Sequence, residues 1–281
     1  MLTHFDHITV ATRDLDAALG DYQRVLGRDP SWRGEYPDVG LAGAHFALAN
    51  GIIELIAPLP GSEEAEGLRE WLASRGEGLQ AIALRTNDAD ALRAGLRERG
   101  VRASLPQAGE ARSTSGEIRR YRTVELSPQS TRGLSVFTVE RSADDLPHAL
   151  DEPAPDAVHA LDHVVIRSAA PAAAIALYRD ALGIRLALDR DFAGTRMLFF
   201  RIGGVTLEVV EDSRNDGADV FYGAAYRVRD IHAAHARMRA SGLELSEVRA
   251  GNKPGTLVFT VRSGTAGVPT LILRDPAREP P

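Results

Sequence analysis

An α+β fold built from four βαβββ modules is predicted for this chain of 281 residues, on three observations. His7, Tyr22, Leu26 and Gly27 recur as His163, Tyr178, Leu182 and Gly183, all displaced by 156 residues. A second pair of segments, marked by Asp88 with Gly100 and by Asp230 with Gly242, repeats at a displacement of 142. Between these landmarks, alternating β-branched runs give way to runs of helical period and back again, which is the order strand, helix, strands.

In the first module, residues 5–11 alternate in type and are rich in β-branched side chains, which suits a strand. Period 2 sets Phe5, His7 and Thr9 on one face and Ile8 and Val10 on the other. The apolar Ile8/Val10 face should take the helix, leaving His7 on the opposite side. Asp14 is placed to cap that helix and Gly27 to end it with a positive φ. Strands are expected near 31–36 and 42–49, and a last one at 51–57 carries Glu54 inside an apolar run.

The second module follows an acidic, helix-prone stretch at 63–75. A strand from Gly78, a helix over 88–99 with Leu92 and Leu96 inward, a stop at Gly100, and strands at 117–126 and 133–140 complete it. The third begins at Leu161, with strands at 197–202 and 205–210. The fourth begins at Val220, with a helix over 230–240, a stop at Gly242 and strands at 255–261 and 268–273. Residues 142–158, with Pro147, Pro153 and Pro155 among Asp, Glu and Ala, read as a linker between a first domain at 1–141 and a second at 159–281. Twenty residues before the helix-ending glycine stands His7 or His163 in the odd modules, and Gln80 or Tyr222 in the even ones.

Composition narrows the function. With 44% hydrophobic and 26% charged residues the chain can bury a core. A net charge of −6 argues against a nucleic-acid surface, which needs a basic stripe to displace counterions. Without cysteine there is no disulfide, thiolate metal site or thiol nucleophile, so any metal must be held by nitrogen and oxygen. No apolar run approaches the roughly 18 residues of a membrane helix, and the start lacks the features of a signal peptide. The expected setting is cytoplasmic, with a small-molecule partner, no membrane, and a homodimer as one assembly the plan allows.

The candidate chemistry lies in two pairs, His7 with Glu54 and His163 with Glu208, at intervals of 47 and 45 residues. A lone His or Glu on a half-buried strand is more often a hydrogen-bonded core residue. Its recurrence in both halves raises the pair to a candidate site. Imidazole and carboxylate are the usual donors to Zn²⁺, Fe²⁺, Mn²⁺ or Ni²⁺. Arg119, Arg120 and Arg122 read as a solvated sheet face.

A first-strand histidine, a last-strand glutamate and a helix ending in Leu26-Gly27 resemble the vicinal-oxygen-chelate superfamily, which includes glyoxalase I, extradiol dioxygenases and bleomycin-resistance proteins. His45, the run from Glu54 to Pro58, Trp71-Leu72 and the strand from Gly78 make the first half similar to glyoxalase-like domains. The resemblance implies that modules join edge to edge into two curled mixed sheets whose concave faces bind a divalent metal. His7, Glu54, His163 and Glu208 would then be metal ligands and catalytic residues, with Gln80 or His45 as a further donor in the first half. His45, Tyr222 and Phe199 would meet the substrate, Tyr222 as a phenol beside His163. Where the resembling dioxygenases carry a second histidine this chain has Gln80 and Tyr222, and where the resembling glyoxalases carry a second glutamate it has Val136 and Thr270. The implied activity is a metal-dependent lyase or isomerase acting on a small oxygenated organic molecule. The alternatives are a non-catalytic small-molecule-binding protein and an extradiol-type dioxygenase.

Overall fold

A computed structural model describes residues 2–141, 152–214 and 217–276. Most of the expected linker, 142–151, lies outside the described residues.

The first half runs β1 (Leu2–Ala11), α1 (Leu15–Leu26), β2 (Trp32–Tyr36), β3 (Leu41–Leu48), β4 (Gly51–Pro58), α2 (Glu66–Arg75), β5 (Gly78–Thr86), α3 (Ala89–Glu98), β6 (Gln107–Ser113), β7 (Ile118–Glu125) and β8 (Ser135–Arg141). Its eight strands close into a barrel in the order β1-β4-β3-β2-β6-β7-β8-β5. The second half runs β9 (Ala160–Ser168), α4 (Pro171–Ile175) continued by a π-type turn (Ala176–Ala181), β10 (Arg185–Phe192), β11 (Thr195–Ile202), β12 (Val205–Glu211), β13 (Val220–Arg227), α5 (Ile231–Ala240), β14 (Arg249–Ala250), β15 (Leu257–Val261) and β16 (Thr270–Arg274). These strands make an open eight-stranded sheet in the order β10-β11-β12-β9-β13-β16-β15-β14. In each sheet the two first strands of the modules pair antiparallel, and each first strand pairs parallel with its own last strand.

The caps expected of Asp14 and Gly27 are in place, and Asp88 and Asp230, expected only as helix starts, act as caps too. Asp14, Asp88 and Asp230 accept from backbone N–H groups in the first turns of α1, α3 and α5, and Gly27 ends α1 at φ 67°. Ile8 and Val10 are fully buried with Leu15, Tyr22 and Leu26 of α1, in one apolar core that continues through Val164, Ile166 and Tyr226 of the other half. Strands β6, β10 and β14 were not expected from sequence. The reason is visible in β10, which lies at a sheet edge with seven of its eight residues, 185 and 187–192, exposed, so that its apolar side chains do not mark a buried face.

One expectation about β1 fails. Phe5 does not share a face with His7 and Thr9; it is 2% exposed inside the helix-covered core. Asp6 is an extra residue opposite β5, between the pairs Phe5/Leu84 and His7/Ala83. Such a bulge breaks the alternation by one position. On β9, Asp162 is likewise an extra residue opposite β13, between the pairs Leu161/Tyr226 and His163/Ala225.

Candidate functional site

The side chains that meet on the inner face of the barrel come from four adjacent strands. β4 lies between β1 and β3, so Thr9 and His45 are the cross-strand neighbours of Glu54, and Trp32 on β2 is opposite His45. Glu54 is 7% exposed, and His7 and His45 are each 3% exposed. Its Oε1 accepts the Tyr36 hydroxyl at 2.6 Å and lies 3.2 Å from His45 Nε2. Its Oε2 accepts the Thr9 hydroxyl at 2.9 Å and lies 3.3 Å from His7 Nε2. His45 Nε2 is also 2.7 Å from the Tyr36 oxygen. If Tyr36 gives its proton to Glu54, His45 Nε2–H donates to the phenol oxygen and every proton has one acceptor. Tyr36 reaches Glu54 over Gly43, where a Cβ would stand 2.6 Å from the ring.

The bulge at Asp6 turns two consecutive side chains toward each other. Asp6 Oδ1 lies 2.7 Å from His7 Nδ1. The same carboxylate, 0% exposed, takes Arg141 Nη2 at 3.0 Å and both Nε and Nη2 of Arg85 at 2.9 and 2.8 Å. Burial alone would push the Asp6 carboxyl up, but Arg141, His7 and Arg85 hold it far below the ordinary range. Burial likewise works against charge on Glu54, and the charge of His7 with the hydrogen bond from His45 outweighs it, keeping the carboxylate ionised. For His7 burial favours the neutral form, while Glu54 and Asp6 pull the ring up to about 9. His45 is shifted down by burial and is neutral near pH 7.

Whether this donor set suits a divalent cation can be tested on His7. Its Nδ1–H donates to Asp6, so Nε2 is the nitrogen left to meet a cation, which would have to displace the proton that Nε2 carries below about pH 9. That nitrogen is buried without a hydrogen-bond partner and faces Glu54 Oε2 across 3.3 Å. Two bases bonded to one ion at about 2.0–2.2 Å each stand at such a separation. Among the described residues, however, no three His, Cys, Asp or Glu side chains are arranged around a common point. His45 is engaged with Tyr36 instead, so the expected His7/His45/Glu54 set is not formed. Gln80 remains as a donor: it is the extra residue of a bulge between Leu79/Val10 and Ala81/Thr9, and it lines the same cavity.

That cavity has a volume of about 990 Å³. Leu68 and Trp71 of α2 border it together with His7, Glu54, Gln80 and Arg141, so α2 covers the mouth of the cup. Arg13 holds this helix by donating to the Leu72 carbonyl at 2.7 Å. From β8 the residue against His7 is Phe137, edge-on with ring centroids 5.4 Å apart, while Val136 belongs to the helix-side core.

The second half keeps the plan with fewer partners. Asp162 Oδ1 lies 2.7 Å from His163 Nδ1 and bonds Arg227, and His163 Nε2 is 3.8 Å from Glu208 Oε2. Val165 pairs with Glu208 where Thr9 pairs with Glu54, and Phe199 is opposite Glu208 where His45 is opposite Glu54. Burial pushes Glu208 up, and His163 only partly offsets it. Tyr222 is again the extra residue of a bulge, between Phe221/Ile166 and Gly223/Val165. It is 41% exposed, borders the cavity of the first half, and carries the Arg167 guanidinium 3.5 Å above its ring. The expected place for it, as a phenol beside His163, is thus exchanged for the rim of the other cup.

Asp6, Thr9, Tyr36 and Arg141 were missed from sequence. The repeated dipeptides Asp6-His7 and Asp162-His163 carried a readable signal for the first. Tyr36 and Arg141 have no counterpart at the repeat displacement and left none.

A family model described as "Glyoxalase-like domain" matches residues 5–187, and one described as "Glyoxalase/Bleomycin resistance protein/Dioxygenase superfamily" matches 160–277. An ethylmalonyl-CoA/methylmalonyl-CoA epimerase of Cereibacter sphaeroides is 30% identical over 102 residues, 36% of this chain and 75% of the epimerase. Among solved structures, a mutant 4-hydroxymandelate synthase from Streptomyces coelicolor superposes with TM-score 0.73 at 15% identity, over 99% of this chain and 94% of that one. A Mn(II)-bound glyoxalase from Novosphingobium aromaticivorans gives 0.67 at 17% identity, over 97% and 82%. At these identities the two structures show a shared fold.

Proposed function

The chain belongs to the glyoxalase-like domain family, within the glyoxalase/bleomycin resistance protein/dioxygenase superfamily, and we propose that the cup of its first half is the active site of a metal-dependent lyase or isomerase acting on a small oxygenated organic molecule. The observation that carries this is His7 Nε2, a buried nitrogen with no hydrogen-bond partner that stands 3.3 Å from the Glu54 carboxylate, the separation of two donors on one ion. His7 and Glu54 would hold the cation, Zn²⁺, Fe²⁺, Mn²⁺ or Ni²⁺, with Gln80 as the third protein donor. Bound there, it would polarise a substrate oxygen and stabilise enolate-like charge.

The protein's own groups have separable tasks. Asp6 fixes the tautomer and direction of the His7 ring. Thr9 and Tyr36 orient the Glu54 carboxylate by donating to its two oxygens. Neutral His45 holds the Tyr36 phenol in place by donating Nε2–H to its oxygen. Helix α2 lends the cavity an apolar border with Leu68 and Trp71. The second half, with Glu208 short of partners, would have a supporting role.

A second reading, a binding protein without turnover, is favoured by one observation: Glu54 is already surrounded by Thr9, Tyr36, His45 and His7, a network complete without an ion. Metal analysis of protein purified without chelator separates the two. About one divalent ion per chain is expected, lost in His7→Ala and kept in His163→Ala. Absence of any ion, with a melting temperature that Mn²⁺, Ni²⁺, Zn²⁺ and Fe²⁺ all leave unchanged, overturns the metal reading.

A further inference from the structure

We infer that Arg141 anchors an anionic substrate, so that the molecule taken into the first cup is a small carboxylic acid. The inference rests on the role proposed above for His7 and Glu54, and names the substrate class of that site.

Position is the first support. Phe137, Val139 and Arg141 alternate along β8 and share the inner face, where Phe137 touches His7. Arg141 lies opposite Tyr121 of β7 and borders both the main cavity and an adjoining hollow of about 580 Å³. It stands where the cup opens.

Its hydrogen bonding is incomplete. The side chain is 9% exposed; Nη2 donates to Asp6, and Nε is buried with no partner. Arg119, Arg120 and Arg122 differ, for each is paired with a carboxylate, that of Glu117, Glu110 and Asp90 in turn.

Charge points the same way. Asp6 faces two guanidinium groups, Arg85 and Arg141, and so neutralises one of them. Glu54 is matched by His7, or by a cation if one is bound. Among the five groups that meet in this network, Asp6 and Glu54 against His7, Arg85 and Arg141, one positive charge is left over, and it favours an arriving anion. A carboxylate fits the planar fork of a guanidinium in two parallel hydrogen bonds. Arg141 and His7 both bond Asp6 Oδ1, so a carboxylate on Arg141 brings its neighbouring carbon toward His7 and Glu54. Trp71, Phe137 and Val139 give the rest of the molecule apolar walls.

The other half supplies a contrast. Arg85 pairs with Val139 and Arg227 with Leu273, so the residue two beyond, Arg141 in the first half, is Asp275 in the second. Asp275 turns to Arg227 at 3.4 Å. The anchoring charge is reversed there, and the first cup alone carries it.

Titration of the full chain with phenylglyoxylate, its methyl ester and inorganic phosphate, followed by calorimetry and melting temperature, tests the inference. The acid should bind at least about ten-fold more tightly than the ester, the value of one charge-assisted hydrogen bond. Arg141→Met should bring the acid down to the level of the ester, and Arg141→Lys should restore part of the difference. His7→Ala should lose the metal yet keep the preference for acid over ester, which separates this outcome from failure of the metal reading. Equal binding of acid and ester by the unaltered protein, binding of neither, tighter binding of phosphate, or a folded Arg141→Met that still prefers the acid would each overturn it. The comparison of acid with ester needs no variant, so a misfolded Arg141→Met leaves the test intact.

Discussion

Asp6 and His7 are consecutive residues of one strand, yet their side chains meet at 2.7 Å. A regular strand would point them to opposite faces, and the bulge opposite β5 removes that obstacle. The arrangement gives the histidine a built-in carboxylate partner without help from another element. Asp162 and His163 repeat it at the same distance.

Asp6→Asn is expected to be strongly destabilising. It leaves Arg85 and Arg141 buried with no anion between them, a loss of about 3–5 kcal/mol for a broken buried pair. Urea unfolding at neutral pH checks it, and a change within 1 kcal/mol would mean that water reaches the two guanidinium groups.

Asp162 gives a dependence on pH. Burial would raise its carboxyl, but the hydrogen bond and charge of His163, with Arg227, hold it at about 2 against an ordinary 3.8. A depressed carboxylate stabilises the fold above its unfolded value and loses that contribution as pH falls through its folded one. About 2 kcal/mol should therefore be present above pH 4 and disappear toward pH 2. Melting temperatures of the unaltered protein and Asp162→Asn should differ at pH 5 and converge by pH 2.

The two glutamates should respond oppositely to loss of charge. Glu54→Gln weakens bonds from Thr9 and Tyr36 and the pairing with His7, at about 2–4 kcal/mol. Glu208 is a carboxylate whose folded value is raised by burial, so its ionised form opposes folding at neutral pH. Glu208→Gln should be neutral or stabilising by denaturant unfolding, and a loss comparable to that of Glu54→Gln would contradict the geometry of the second half.

The modules, their caps and the His/Glu pairs were legible because each rests on local residues at a fixed displacement: Asp14, Gly27, Asp88 and Asp230 act within one turn of a helix. What was not legible depends on register between strands. The bulge at Asp6 changes which face Phe5 takes, and no composition of 5–11 announces it. Tyr36 and Arg141 reach the cup from β2 and β8 only because the barrel closes, and closure is a property of pairing among eight strands. The weaker second cup was half readable, since Val165 stands where Thr9 does, yet its meaning appears only when Thr9 is seen bonded to Glu54.

Gly43 links the backbone to the chemistry. It sits opposite Gly34 on the β2–β3 pair, and a Cβ there would lie 2.6 Å from the Tyr36 ring. Gly43→Ala must push the phenol aside or bend β3, a crowding of about 1–3 kcal/mol. If the ring moves, Tyr36 leaves Glu54 and His45, and Glu54 keeps the Thr9 hydroxyl and His45 Nε2–H as its neutral donors. The variant combined with Tyr36→Phe should then lose little more than Gly43→Ala alone, because the bond removed by the second change is already broken. Additive losses in a double-mutant cycle of unfolding energies would mean that β3 yields instead and that the Tyr36 bond survives the crowding.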